Sequence, residues 1–82
     1  MYFVYLVRCS DNSLYCGQTT ELIRRVNEHN FNNKKSAKYT KGRRPVTLVY
    51  SEKFATFSQA LKREYQIKHL SKSQKEALIN SG

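Results

Sequence analysis

Two short runs of β-forming residues, separated by turn-forming ones, constrain this chain more than anything else in it. Residues 2 to 8 are β-branched and aromatic, Leu14 to Thr19 reads as a second strand, and Ser10-Asp11-Asn12-Ser13 between them is turn chemistry. Together they predict a β-hairpin, and its loop length decides which side chains meet. A two-residue Asp11-Asn12 turn pairs Ser10 with Ser13 and puts Tyr5 and Tyr15 on opposite faces. A three-residue loop, Ser10-Asp11-Asn12 with Asn12 left-handed, pairs Cys9 with Ser13. Tyr5 then lies opposite Gly17 and Val7 opposite Tyr15, so both tyrosines share a face. Asn tolerates a positive φ, so this register is open to the chain. It also sends Cys9 and Cys16 to opposite faces, which argues against a disulfide between them.

Beyond the hairpin, Thr20 can cap a helix from about Glu21 to about Asn30. Leu22, Val26 and His29 fall on one narrow stripe of it, with Arg25 at the edge and four residues before His29, so those two side chains project together. A short helical turn fits the segment that follows, ended by Gly42 and Pro45. Val46 to Tyr50 reads as a third strand that can extend to Phe54. Thr56-Phe57-Ser58-Gln59 is a capping-box pattern opening a helix to about His69, whose stripe holds Phe57, Ala60, Leu61 and Ile67. Glu64 lands inside that stripe. Ser71-Lys72-Ser73-Gln74 restarts a last helix with Ala77, Leu78 and Ile79 as its apolar face.

The 82 residues suffice for one domain, 1–82, with a thin core, since a domain this small buries only roughly 60% of its unfolded surface. At 39% apolar residues, with six Tyr and four Phe, the chain belongs with folded globules rather than disordered basic tails. No apolar run nears the roughly 18 residues of a membrane span. The apolar start lacks a basic n-region and a small-residue cleavage site, so a cytoplasmic location is expected. Cys9, Cys16, His29 and His69 lack the CxxC or HxxxH spacing of a zinc site.

Fifteen Lys and Arg against six Asp and Glu give a formal charge of 15 − 6 = +9. The excess is concentrated. No acid occurs between Glu28 and Glu52, and Lys34, Lys35, Lys38, Lys41, Arg43 and Arg44 lie in that gap with Tyr39 among them. Such a cluster attracts phosphate backbones and releases counterions on pairing with them. It has no apolar face to insert into a membrane surface.

Four further features stand out together: two tyrosines able to share a strand face, a glycine opposite one of them, Arg25 and His29 at the border of a buried stripe, and Glu64 at a core-facing position. A carboxylate in an apolar stripe must find a partner or lose its charge, and an ion pair with Arg25 would satisfy it. The same residue types suit phosphodiester cleavage. A carboxylate can hold Mg²⁺, an Arg fork suits non-bridging phosphate oxygens, and a Tyr hydroxyl can take a proton from water when cations lower its pKa.

Phe3-Val4-Tyr5, then Tyr15-Cys16-Gly17, then Arg25-Val26-Asn27-Glu28-His29, then Glu64 on a late helix, resembles the GIY-YIG nuclease domain. Leu14-Tyr15-Cys16-Gly17-Gln18-Thr19-Thr20 and the stretch from Ala37 to Val46 narrow the resemblance to its small stand-alone bacterial members of the YhbQ/YazA type. It runs roughly from Tyr2 to Leu78. What it implies is an α+β fold, a three-stranded, mainly antiparallel sheet flanked by helices in the order β-β-α-(α)-β-α-α. It also implies hydrolysis of nucleic-acid phosphodiesters with one divalent ion, Mg²⁺ or Mn²⁺. On that resemblance Tyr5 is the base or base-orienting hydroxyl, and Tyr15 contacts phosphate or positions water. Gly17 leaves room for close approach, Arg25 stabilises charge on the phosphate, His29 orients Tyr5 or relays its proton, and Glu64 binds the metal. Phe3 stands at the glycine of the first motif and Cys16 at the middle of the second; neither position carries chemistry.

The expected function is therefore a metal-dependent endonuclease or nickase, on DNA in preference to RNA, with weak sequence specificity, in DNA repair or processing. Nucleic acid is the expected partner, with the basic segment as its contact surface; a protein partner is compatible with so bare a domain. The alternative is a nucleic-acid-binding module without turnover.

Overall fold

A computed structural model describes residues Met1–Ser81. The elements run β1 (Tyr2–Arg8), β2 (Leu14–Thr19), α1 (Leu22–Phe31), α2 (Lys38–Lys41), β3 (Thr47–Phe54), α3 (Phe57–Lys68) and α4 (Lys72–Ser81). The hairpin takes the three-residue loop. Asn12 has φ 68, Cys9 N–H donates to Ser13 O at 2.8 Å, and Asn12 N–H donates to Cys9 O at 2.9 Å. Asp11 braces the turn by accepting from Ser13 N–H at 3.0 Å.

That loop sets the register Tyr5↔Gly17 and Val7↔Tyr15. β3 adds antiparallel to the other edge of β1, with Tyr5↔Ser51 and a bulge between Leu6 and Val7. The order is β2-β1-β3, so the apolar β1 is central and its Val4 to Val7 are all buried. Alternation along β1 and β2 divides the core in two. Val4, Leu6 and Cys16 pack with Ala60 and Ile67 of α3, and with Leu78 and Ile79 of α4. Tyr5, Val7 and Cys9 pack with Val46, Tyr15, and Leu22 and Val26 of α1 on the other face. The two cysteines are thus buried on opposite faces and free.

Helix boundaries follow local chemistry, with two departures from the sequence reading. Thr20 does not cap α1; Glu21 holds the N-cap position, and Thr19 Oγ1 takes the Glu21 N–H at 3.1 Å. Phe57 and Leu61, counted on the apolar stripe of α3, are 52% and 48% exposed. A single helix on a narrow sheet covers little more than the Ala60–Ile67 line, so residues 60–100° away from it reach solvent. Thr56 caps α3 as read, its Oγ1 accepting from Gln59 N–H, while the reciprocal exchange of a full capping box is seen at Ser71 and Gln74, at 2.8 and 3.1 Å. No described helix is long and apolar enough to cross a membrane.

Candidate active site

On the α1 face of the sheet the site is built around Tyr5, which is 1% exposed. Its ring lies over Gly17. A Cβ at Gly17 would stand 2.5 Å from Tyr5 Oη and 2.8 Å from Cζ, closer than any side chain can stand. From α1, His29 reaches the same point, and its Nε2 is 2.7 Å from Tyr5 Oη. His29 is fully buried. Its Nδ1 faces α2, 3.1 Å from Thr40 Oγ1 and 3.4 Å from Ala37 N.

Burial sets the electrostatics of this pair. It pushes the Tyr5 hydroxyl up to about 12, with Tyr15 adding to the rise and the Arg25 guanidinium opposing it. It pushes His29 down to about 4, with the positive charge of Arg25 acting in the same direction. Both groups are therefore neutral near pH 7. Arg25 itself stays charged. Burial works against that charge, but its bond to Glu28 and its proximity to Tyr5 outweigh the loss of water. Its Nη1 donates to Glu28 Oε1 at 3.0 Å and to Lys35 O at 2.5 Å. The neighbouring Arg24 is exposed.

An aromatic chain leads outward from the pair. The edge of Tyr15 meets His29 at 5.5 Å between centroids, Tyr15 stacks on Tyr39 at 5.7 Å, and Arg43 lies 4.1 Å over Tyr39. This stack holds the basic segment against β2. The segment's cations then divide into two kinds. Lys34, Lys35, Lys38 and Lys41 are exposed. Arg43 and Arg44 are partly committed within the protein. Arg43 donates to Asp11 Oδ2 at 3.1 Å and Tyr39 O at 2.8 Å. Arg44 donates to His29 O, Asn33 Oδ1 and Asn32 O at 2.7, 2.8 and 3.2 Å, which ties the end of α1 to the approach of β3.

Glu64 lies elsewhere. It stands on α3, across the edge strand β2, where its backbone O is 4.0 Å from Cys16 Sγ. Its carboxylate is 15% exposed and pairs with Lys68 at 3.5 Å. The ion pair with Arg25 that would have satisfied this carboxylate does not form: Arg25 takes the nearer Glu28, one helical turn along its own helix. Tyr5, Tyr15, Gly17, Arg25 and His29 are thus brought together, and Glu64 stands apart from them, with α3 on the other face of the sheet.

A model of the GIY-YIG catalytic domain matches residues 1–77. The chain is a member of the GIY-YIG family. A UPF0213 protein of Halobacterium salinarum is 54% identical to it over 96% of this chain and 100% of that one. A UPF0213 protein of Staphylococcus haemolyticus is 53% identical over 95% and 93%. The solution NMR structure of a UPF0213 protein from Bacillus halodurans superposes with a TM-score of 0.62 at 42% identity, covering 98% of this chain and 84% of that one. That of a protein from E. faecalis superposes with a TM-score of 0.65 at 43% identity, covering 98% and 83%. The three-stranded α+β architecture is the GIY-YIG fold of these relatives.

GIY-YIG nucleases depend in general on a divalent metal. Among the described residues no group of three or more His, Cys, Asp or Glu comes together. A Mg²⁺ site need not have one, because that ion keeps several waters and is held by one or two carboxylates plus substrate phosphates. Glu64 fits such a role, since among the described residues its carboxylate pairs only with the half-exposed Lys68, at 3.5 Å.

Two contributors escaped the sequence reading. Asn30 pairs with the backbone of Val46 in both directions, at 2.9 and 2.7 Å, and fixes α1 against the start of β3. Thr40 is fully buried beneath His29. Thr40 lies in the stretch that narrows the resemblance, but nothing in the sequence gives either residue its role, because both act through contacts between elements that only the fold brings together.

Proposed function

We propose that the protein is a metal-dependent endonuclease or nickase that hydrolyses DNA phosphodiester bonds with weak sequence specificity, acting in DNA repair or processing. The observation that carries this reading is the 2.7 Å approach of Tyr5 Oη to His29 Nε2 over Gly17, with Arg25 alongside. A buried phenol held by an imidazole and flanked by a guanidinium is an arrangement for moving a proton next to an anion. Tyr5 takes the proton of the attacking water, and His29 fixes the direction of the phenol oxygen. Arg25 neutralises charge on the non-bridging oxygens of the phosphate. Tyr15 orients water or phosphate at the opening. A bound Mg²⁺ at Glu64 would supply charge stabilisation for the departing oxygen.

With Tyr5 near 12, a free phenolate at pH 7 lies about 5 pH units out of reach, roughly 7 kcal/mol. Tyr5 must therefore first lose its own proton to solvent, and the phenolate so formed takes the proton of the attacking water, so the rate is expected to climb with pH. The four exposed lysines supply affinity for the backbone without reading bases.

The exposed lysines equally support a second reading, a DNA-binding module without turnover. Conversion of supercoiled plasmid to nicked circles with Mg²⁺, Mn²⁺ or EDTA separates the two. Metal-dependent nicking that Glu64→Ala abolishes, with binding intact, supports the nuclease. Salt-sensitive binding with no nicking under either metal establishes the module instead.

A further inference from the structure

Helix α2 does more than carry two of the lysines. His29 Nδ1 meets two groups of it and its N-cap, Ala37 N at 3.4 Å and Thr40 Oγ1 at 3.1 Å. A backbone N–H is a donor that cannot turn away, so a proton on Nδ1 would face it head-on and leave the Ala37 N–H without an acceptor. The hydroxyl of Thr40 has a single proton and two neighbours, Nδ1 and, at 3.0 Å, Ala37 O. Ala37 O also accepts the N–H groups of Thr40 and Lys41, both at 3.1 Å, so it is satisfied with or without the hydroxyl. With Ala37 N–H excluding a proton on Nδ1, the 3.1 Å contact is attractive only when the Thr40 hydroxyl proton turns to Nδ1, whose one lone pair is then shared between that O–H and the longer Ala37 N–H contact.

We propose that Ala37 and Thr40 hold His29 as the Nε2–H tautomer, so that its Nε2–H donates to Tyr5 Oη. Thr40 is then a positioning residue for Tyr5, acting through His29. In this arrangement the phenol oxygen is an acceptor, its own proton is turned away from His29, and a phenolate formed there keeps the Nε2–H donor. The reverse tautomer would make Tyr5 donate to Nε2 and hold its proton inside the protein. The cationic segment thus sets the state of the candidate base through its first helical turn, so the surface proposed to meet the phosphates and the group proposed to move the proton are mechanically joined. The catalytic consequence rests on the nuclease reading above; the tautomer does not.

The test is long-range ¹H–¹⁵N correlation on histidine-labelled protein, with His69 assigned by His69→Gln. The groups facing His29 are Tyr5, Tyr15, Arg25, Glu28, Ala37, Thr40 and, at its carbonyl, Arg44. Wild type at pH 7 is expected to show a protonated, pyrrole-type Nε2 and a pyridine-type Nδ1. A pyrrole-type Nδ1 in wild type overturns the proposal without any variant having to fold. In Thr40→Val the Nδ1 resonance should move toward the unbonded value, and Thr40→Ser should restore it. Nicking should fall about tenfold in Thr40→Val, with its pH profile displaced to higher pH, and recover in Thr40→Ser. An unmoved Nδ1 resonance together with an unmoved profile overturns the role of Thr40. Absence of nicking in wild type removes the nuclease reading and leaves the tautomer measurement standing; nicking with a pyrrole-type Nδ1 does the opposite.

Discussion

Tyr5 and Gly17, opposite each other on β1 and β2, are in such close contact that the phenol occupies the space a Cβ would need, 2.5 Å from Oη. Gly17→Ala must push the phenol off His29 or spread the two strands, in a place where neither has room. We expect a loss of about 1–3 kcal/mol in denaturant unfolding, as for other overpacked cores. The loss should shrink in a Tyr5→Phe background, where the nearest atom is gone. A double-mutant cycle measures that coupling, and strict additivity would show that Gly17 does not support Tyr5.

The basic segment should divide as its hydrogen bonds do. Replacing Lys34, Lys35, Lys38 and Lys41 with Ala should weaken DNA binding uniformly across sequences and flatten its salt dependence, with the melting temperature little changed. Arg44→Ala removes donors to three acceptors, two of them backbone carbonyls. It should lower the melting temperature, by an amount corresponding to about 1–3 kcal/mol. Equal effects of the two variants on binding and melting would contradict this division.

Acid should destabilise the protein through His29 before it does so through the carboxylates. The folded value of about 4 lies below the ordinary 6.5, so the unfolded chain takes up this proton first as pH falls. Stability is therefore lost between about pH 6.5 and about pH 4, by at most about 3 kcal/mol. The carboxylates of Asp11, Glu28, Glu52 and Glu76 are held below their ordinary range and act at lower pH. Unfolding free energies of wild type and His29→Gln across pH 5–7, above the range of the carboxylates, check this: wild type should slope in that window and the variant should be nearly flat.

Glu64→Gln keeps the size and polarity of the side chain and removes its charge. Since Glu64 bonds to none of Tyr5, His29 and Arg25 in the described structure, the variant should leave the Tyr5–His29 contact in place. It should abolish metal-dependent nicking while keeping DNA affinity within about threefold, because the proposed phosphate contacts are those of Lys and Arg side chains. Nicking at the wild-type rate in Glu64→Gln would remove Glu64 from the chemistry.

How much of this was legible in the sequence depended on how local the cause was. The hairpin register was reachable because Asn12 admits the left-handed turn and one register alone puts Tyr5 and Tyr15 on a common face. The start of α3 was reachable because Thr56 and Gln59 meet within one turn. The outer limit of its apolar stripe was not, since the width of the sheet beneath it decides whether Phe57 and Leu61 are covered. Strand register put Tyr5 with Tyr15 and helix phase put Arg25 with His29, but only the family resemblance joined the two pairs into one site. Whether Glu64 joins them depends on how α3 lies across β2, and no periodicity encodes that. Arg43 and Arg44 look like the lysines beside them in sequence; only their partners in space set them apart.

The central claim is that the buried phenol of Tyr5 performs proton transfer, and single-turnover plasmid nicking by Tyr5→Phe tests it most directly. With DNA binding and melting temperature matched to wild type, or corrected for, the account predicts a rate about a hundredfold to ten-thousandfold lower. It also predicts loss of the rise in rate with pH. A variant that nicks as fast as wild type, with the same pH dependence, would contradict it.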